Sequence, residues 1–320
     1  MTATVLLTDY AWPDAAIEQQ VMDSRNLRLV VGPAVAAAPA DIESLVLLHQ
    51  PAAIMTCWAQ VSERSIAASA GLKIVARLGV GLDNIAVDAA TAQGVWVTNV
   101  PDYCVEEVSD HAVAMALAWT RGIVKFDRRV RQGRTDPATA KLKRLSSLTC
   151  GIIGFGNIGR VTARKLAAFG CRVLAHSRTS KSREGTVGFT DLDSLLAQSD
   201  IIILHLPYTR ETHHLIDTKA LAQFKAGSLL INVSRGALVD SAALTEALAS
   251  GRLSAAALDV WEGESGIPDA WKVHPDVVLT PHIAFASDVS IVELRRRASE
   301  EVVRVLAGRR PLQPCNEISL

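Results

Sequence analysis

The chain has 320 residues, 49% of them apolar and 21% charged, and its 33 basic and 33 acidic side chains cancel. That length and composition suggest two domains of ordinary size with ample core. Zero net charge gives no electrostatic basis for binding nucleic acid or an anionic membrane, and no apolar run reaches the length of a membrane span. The five cysteines form no CxxC pair and no metal-ligand spacing appears, which points to reduced thiols in a cytoplasm.

The start, Met1 to Asp9, has no basic opening and too short an apolar run for a signal peptide, so it reads as a first strand over Val5–Thr8. Further strands are expected at Leu27–Val31, Ala53–Thr56, Lys73–Arg77 and Val95–Thr98, alternating with helical patterns. Trp58 follows the third of these and either walls a pocket or packs. A long helical pattern runs from about Glu106 to Ile123, with Val108, Ala112, Met115 and Ala116 on one stripe. Asp127–Ser147 is basic and polar and reads as a solvated excursion, a candidate for touching a partner subunit.

An apolar strand then leads into Gly154-Phe155-Gly156-Asn157-Ile158-Gly159, and a helical pattern follows. This is the setting that a dinucleotide fingerprint requires. Gly154 allows a tight turn, Gly156 lets backbone approach a pyrophosphate, and Gly159 lets helix and strand pack closely. The helix start offers free N–H groups to phosphate. Strands are expected at Arg172–Ala175, Ile201–Leu204, Ser228–Asn232, Ala256–Val260 and Val277–Thr280, with a polar loop at Ser177–Thr186. A second long helix is expected from about Val289 to Leu306. It has no strand after it, so it returns to the first domain. The expectation is an α/β protein with two Rossmann-like or flavodoxin-like parallel-sheet domains and a cleft between them. Residues 1–101 and 286–320 would form the substrate-binding domain, and residues 102–285 the dinucleotide-binding one.

Ligands of parallel sheets bind beyond the carboxyl ends of strands. Four such ends carry ionisable groups: His205, Arg235, the run Asp259 to Glu264, and His282. An arginine, a glutamate and a histidine around a nicotinamide suit hydride transfer to a carbonyl. The arginine holds a carboxylate and polarises the carbonyl, the histidine moves a proton, and the glutamate orients the imidazole. Glu262 competes with Glu264 for the last role. His111 reads as a packed or hinge histidine, and His213 and His214 as solvated.

The chain resembles the D-isomer-specific 2-hydroxyacid dehydrogenases over nearly its whole length. The likeness rests on Arg77-Leu78-Gly79-Val80-Gly81-Leu82-Asp83-Asn84, Asn99-Val100-Pro101 and the fingerprint. It continues through His205-Leu206-Pro207 with Glu211-Thr212, Asn232-Val233-Ser234-Arg235-Gly236, Asp259-Val260-Trp261 with Glu264, and Thr280-Pro281-His282. The resemblance implies that Arg235, Glu264 and His282 are catalytic and that backbone at Val80 and Gly81 binds the substrate carboxylate, with Arg235 and Trp58 beside it. It implies cofactor contacts at Gly154, Gly156, Asn157, Ile158, Gly159, His205, Pro207, Thr212, Val233, Asp259 and His282. Asp259 would accept from the nicotinamide carboxamide. A homodimer is also implied, in keeping with an alanine-rich helix that must bury a face. Two departures stand out: Ser265 follows Glu264 where proline is usual, and Phe285 is bulkier than the small residues common after the histidine.

The second expected strand of the dinucleotide domain ends His176-Ser177-Arg178-Thr179, with Ser177 where an acidic residue normally takes the ribose hydroxyls. Ser177, Arg178 and Thr179 instead suit a 2′-phosphate, so NADP is the expected cofactor, with NAD possible. The expected reaction is reduction of a compact 2-keto acid, of the glyoxylate or hydroxypyruvate type, to a D-2-hydroxy acid. The alternative is a dinucleotide-sensing corepressor like the C-terminal binding proteins. Cys104-Val105-Glu106-Glu107-Val108 and Phe285 resemble that branch, whereas the intact catalytic set favours the enzyme.

Overall fold

The computed structural model describes residues 2–178, 183–263 and 266–318, and the chain divides into two compact units, Met1–Tyr103 with Ser287–Leu320, and Cys104–Ala286. In the first, β1 (Thr4–Leu7), β2 (Arg28–Val31), β3 (Ala53–Thr56), β4 (Ile74–Arg77) and β5 (Trp96–Thr98) form a parallel sheet in the order β2-β1-β3-β4-β5. Between them run α1 (Ala16–Asp23), α2 (Pro39–His49), α3 (Glu63–Ala67) and α4 (Val87–Ala92). β3 and β4 are buried at every position, as expected of continuous apolar runs in a sheet covered on both faces. The order reverses between β1 and β3, so the loops leaving those strands flank the sheet's switch point, where ligands of this fold bind.

The second unit opens with α5 (Val105–Arg121) and α6 (Ile123–Arg131). One continuous helix was expected from about Glu106 to Ile123. Gly122 breaks it, with φ 64° that glycine adopts at little cost. The helix resumes into the expected excursion, and α6 buries none of its residues. The sheet follows in the order β13-β12-β11-β10-β6-β7-β9-β8. Its strands are β6 (Thr149–Ile153), β7 (Arg172–His176), β8 (Arg183–Glu184), β9 (Val187–Phe189), β10 (Ile201–Leu204), β11 (Ser228–Asn232), β12 (Leu253–Leu258) and β13 (Val277–Leu279). Helices α7 (Asn157–Ala168), α8 (Leu192–Gln198), α9 (Thr218–Gln223), α10 (Ser241–Ala249) and α11 (Asp269–Val273) connect them.

All pairings are parallel except β8 with β9. That short hairpin lies partly in the stretch expected to be a loop. Its two-residue strand is too short to show periodicity. β12 starts three residues before the expected Ala256, because Ser254 sits in the strand and bonds back to the Gly227 and Ser228 carbonyls. The switch point lies between β6 and β10, so the fingerprint turn and the loop after β10 flank it.

The last helix, α12 (Asp288–Leu306), belongs to the first unit. Ser287 and Ser290 form a reciprocal capping box at its start. Arg295 on α12 reaches Glu18 on α1 through Nε at 2.9 Å and Nη2 at 2.7 Å, with 6% and 0% exposure respectively. The guanidinium also donates to the Asp14 carbonyl at 2.7 Å and lies over the Trp12 ring. Such a pair is costly to bury and costlier to break. Glu18→Ala is expected to destabilise the fold by about 3 kcal/mol, the low end for an orphaned buried charge, because Asp14 still accepts from Arg295. Denaturant unfolding followed by circular dichroism reads this; an unchanged midpoint would contradict it.

Candidate active site

The fingerprint turn is built from close backbone approaches. Gly154 has φ 95°, and a Cβ there would stand 2.1 Å from the His205 carbonyl oxygen. A Cβ on Gly159 would stand 2.2 Å from the Gly154 oxygen. A Cβ on Gly156 would meet nothing within 4 Å. The first two glycines are needed by the protein itself, whereas the space over Gly156 suits an arriving pyrophosphate. Gly156 is the N-cap of α7 and makes no side-chain cap, so the N–H groups at Asn157, Ile158 and Gly159 face outward for an anion.

His205, expected to contact cofactor, turns its imidazole to the fingerprint helix: Nε2 lies 2.9 Å from Thr162 Oγ1, whose hydroxyl donates to the Ile158 carbonyl at 3.0 Å. Burial pushes its pKa down to about 3, so the ring is neutral at physiological pH. Pro207 and Thr212 close the same loop, with the Thr212 hydroxyl accepting from Thr209 N–H at 2.7 Å and donating to the Pro207 carbonyl at 2.9 Å. Beyond β7, Ser177 is half-buried and Arg178 is exposed, while Thr179 lies outside the described residues. A hydrogen bond from Thr209 holds the Glu211 carboxyl below its usual pKa, with weaker attraction from Arg178 and Arg210. Glu211 was quoted in the sequence only as part of a motif; its reach to Arg178 depends on tertiary placement.

At the other strand ends, Val233 is buried, and Asn232 fixes the turn by donating to the Arg235 carbonyl at 2.8 Å and accepting from Ser234 N–H at 3.1 Å. The Arg235 guanidinium donates to the Ser234 carbonyl at 2.8 Å. A Cβ on Gly236 would lie 2.1 Å from the Trp261 carbonyl carbon, so that glycine lets the loop after β11 press on the loop after β12. Glu264 lies outside the described residues. Its rival Glu262 is engaged, with Oε1 2.8 Å from His214 Nε2. His214 is therefore half-buried and paired rather than freely solvated, while His213 is exposed.

His282 occupies a left-handed conformation, φ 53°, which costs a non-glycine residue of order 1 kcal/mol and must be held by its surroundings. Asp259 holds it. This carboxylate is 1% exposed. Its Oδ1 accepts from the Thr280 hydroxyl at 2.6 Å and from Ile283 N–H at 3.0 Å, and its Oδ2 accepts from Ala284 N–H at 2.9 Å. The residues on both sides of the histidine are thus tied to one carboxylate. One acceptor position on Oδ2 is left, enough for a single further donor such as a carboxamide.

His111 Nε2 lies 3.0 Å from Thr280 Oγ1. Because the Thr280 proton goes to Asp259, His111 is the donor there. Burial, opposed by the attraction of Asp259, lowers its pKa. The sequence shows Thr280 only as part of a motif and His111 only as a helix histidine; their meeting is long-range.

The first unit contains a matching device that the sequence did not reveal. Asp9, fully buried after β1, accepts from Cys57 N–H at 3.0 Å, Trp58 N–H at 2.7 Å and Ala59 N–H at 3.1 Å. It shapes the loop after β3 across the switch point, leaving Trp58 39% exposed. The loop after β4 is fixed by Asn99, whose amide donates to the Val80 carbonyl at 2.6 Å, and by Val100 N–H donating to the Gly79 carbonyl at 3.1 Å. Among the described residues the N–H groups of Val80 and Gly81 have no backbone acceptor, as a carboxylate site requires. Arg77 is 7% exposed and turns its guanidinium inward to the Leu78 carbonyl.

Residues 113–284 match the family model of the D-isomer specific 2-hydroxyacid dehydrogenase NAD binding domain. Hydroxypyruvate reductase of Thermotoga maritima is 36% identical over 247 residues, 76% of this chain and 79% of that one. D-3-phosphoglycerate dehydrogenase of Mycobacterium tuberculosis is 40% identical over 245 residues, 76% of this chain. The chain covers 46% of that longer protein, so it spans about half its length. The crystal structure of D-lactate dehydrogenase from Aquifex aeolicus complexed with NAD and lactic acid superposes with a TM-score of 0.84 at 29% identity, covering 95% of this chain and 96% of that one.

A half-buried histidine held neutral makes stability depend on pH with a definite sign. His205 has a folded pKa of about 3 against roughly 6.5 unfolded, so between those values the unfolded chain binds the extra proton. Its contribution is complete above the unfolded value and is lost as pH falls toward 3. The expected slope is at most about 1.4 kcal/mol per pH unit, and it should flatten in His205→Gln. Urea unfolding between pH 7 and pH 4 checks this, and identical slopes for the two proteins would contradict it.

Proposed function

Because the chain belongs to the D-isomer specific 2-hydroxyacid dehydrogenase family, we propose that it transfers a hydride between NADP(H) and a compact 2-keto acid to give a D-2-hydroxy acid, with glyoxylate and hydroxypyruvate as leading substrates. The observation that carries the reading is His282, held in a left-handed turn at the carboxyl edge of a dinucleotide-binding sheet. The open space over Gly156 and the uncapped start of α7 fit a dinucleotide. Gly154, Gly156, Asn157, Ile158 and Gly159 would hold its pyrophosphate. Pro207, Thr212, Val233 and Asp259 would border the rest, and His205 would act from behind the fingerprint. A reduced nicotinamide supplies the hydride when bound.

His282 donates a proton to the substrate carbonyl oxygen in reduction and takes it back in oxidation. Arg235 binds the carboxylate and polarises the carbonyl. The family resemblance gives Glu264 the role of partnering the imidazole and favouring its charged form. The family resemblance assigns the substrate carboxylate to the Val80 and Gly81 N–H groups, with Trp58 beside them. The loop Met55–Gln60 has no basic residue and Arg77 is turned inward, which supports an unphosphorylated substrate. None of the five cysteines is in a disulfide, in keeping with a reducing compartment such as the cytoplasm, and no described helix is long and apolar enough to cross a membrane.

His282→Ala is expected to lower kcat roughly a hundredfold or more, and Arg235→Ala to impair both KM and kcat. Steady-state reduction of glyoxylate and hydroxypyruvate reads both. Near-normal kinetics for His282→Ala would reject the assignment, and phosphohydroxypyruvate far outperforming hydroxypyruvate would reject the substrate class.

The preference for NADP follows from the end of β7, where Ser177 replaces the acid that would repel a 2′-phosphate and Arg178 supplies charge. Ser177→Asp with Arg178→Ala is expected to shift the ratio of specificity constants toward NADH. A wild-type kcat/KM higher for NADH than for NADPH would overturn the preference.

A homodimer is the proposed assembly. It is supported by α6, which buries nothing within the chain and leaves Ile123 58% and Val130 56% exposed. Light scattering at micromolar concentration should give twice the chain mass; a monomer mass would contradict it.

A further inference from the structure

The loop after β10 and the loop after β12 bring together three groups that the proposed reaction does not use. His213 and His214 are adjacent in sequence, and neighbours in extended chain point their side chains apart. Here His214 has φ 48° and its N–H donates to the Ala237 carbonyl at 2.9 Å, which swings its ring under that of His213. The two imidazoles stack with centroids 4.0 Å apart and planes at 21°. Glu262 closes the cluster, its Oε1 2.8 Å from His214 Nε2, and one ligand atom from each of the three residues lies within 4.8 Å of the others. Behind them, Asp240 Oδ2 stands 4.0 Å from His214 Nδ1 while its Oδ1 caps α10. At 4.0 Å Asp240 does not hydrogen-bond the ring, but it adds negative charge beside His214 that favours a bound cation.

We propose that His213, His214 and Glu262 form a site for a divalent transition cation of the zinc class. Two imidazoles and a carboxylate are a borderline donor set that suits zinc rather than calcium or magnesium. Bonds of about 2 Å to each ligand need the exposed His213 ring to swing out of the stack so that its lone pair converges with that of His214, and the proton shared by His214 Nε2 and Glu262 to leave; water completes the coordination. The cation would tie the loop after β10 to the loop that leads from β12 toward residue 264. This inference does not depend on the dehydrogenase reading, and its test does not use turnover.

The test is calorimetric titration of the chelator-treated full chain with zinc chloride. The wild type is expected to bind one equivalent. His213→Ala and Glu262→Gln should each weaken binding at least tenfold, while His274→Ala, a histidine outside the cluster, should bind as wild type does. Circular dichroism confirms that each variant is folded. Absence of zinc uptake by the wild type, or undiminished uptake by His213→Ala and Glu262→Gln, would overturn the proposal.

Discussion

The geometry of the turn that carries His282 depends on the carboxylate of Asp259. A charge with 1% exposure is expensive unless its lone pairs are used, and here the Thr280 hydroxyl and the Ile283 and Ala284 N–H groups use three of them. The result is a turn with His282 at its apex and little freedom to relax from its left-handed backbone. Asp9 does the same for the loop Cys57–Ala59 in the first unit. Each unit thus places an aspartate where a parallel strand ends and turns its oxygens toward the N–H groups of a loop leaving a neighbouring strand. In a parallel sheet these ends are where backbone donors run out of sheet partners, so a buried carboxylate there satisfies the backbone and shapes a ligand edge together.

The protein's ionisable groups divide accordingly. Some are withdrawn from solvent and used as scaffolding, namely Asp9, Asp259 and the Arg295–Glu18 pair, and the half-buried His205 is held neutral against the fingerprint helix. Others stand at the strand ends, among them His282 and Arg235, and the N–H groups of Val80 and Gly81 have no backbone acceptor among the described residues. His111 belongs to the scaffolding, since its ring donates to Thr280 and thereby leaves the Thr280 proton on Asp259.

Much of this was legible in the sequence because parallel sheets write themselves as short apolar runs. Ile201–Leu204 and Ser228–Asn232 were bounded as the structure has them. The fingerprint was legible because three glycines at fixed spacing have three distinct steric reasons, of which the structure shows two as close backbone approaches. Other features were not legible, for physical reasons. The break at Gly122 looks like a tolerated glycine until its left-handed φ is known. The Asp9 network spans about fifty residues, and nothing local to Asp9 distinguishes it from a surface turn acid. The His214 pairing with Glu262 likewise joins loops that are distant in sequence, so a polar stretch read as solvated turns out to be half-buried. For Asp9 and His214 the missing information was a long-range contact rather than a local preference.

The central claim is that a hydride passes from a nicotinamide to the carbonyl carbon of a 2-keto acid while His282 supplies the proton. The most direct measurement uses reduced cofactor carrying deuterium at its transferable position, a 2-keto acid substrate, and analysis of the product by mass spectrometry and chiral chromatography. The account predicts one deuterium at carbon 2 of the hydroxy acid and the D configuration. Product without deuterium at carbon 2, or of the L configuration, would contradict it.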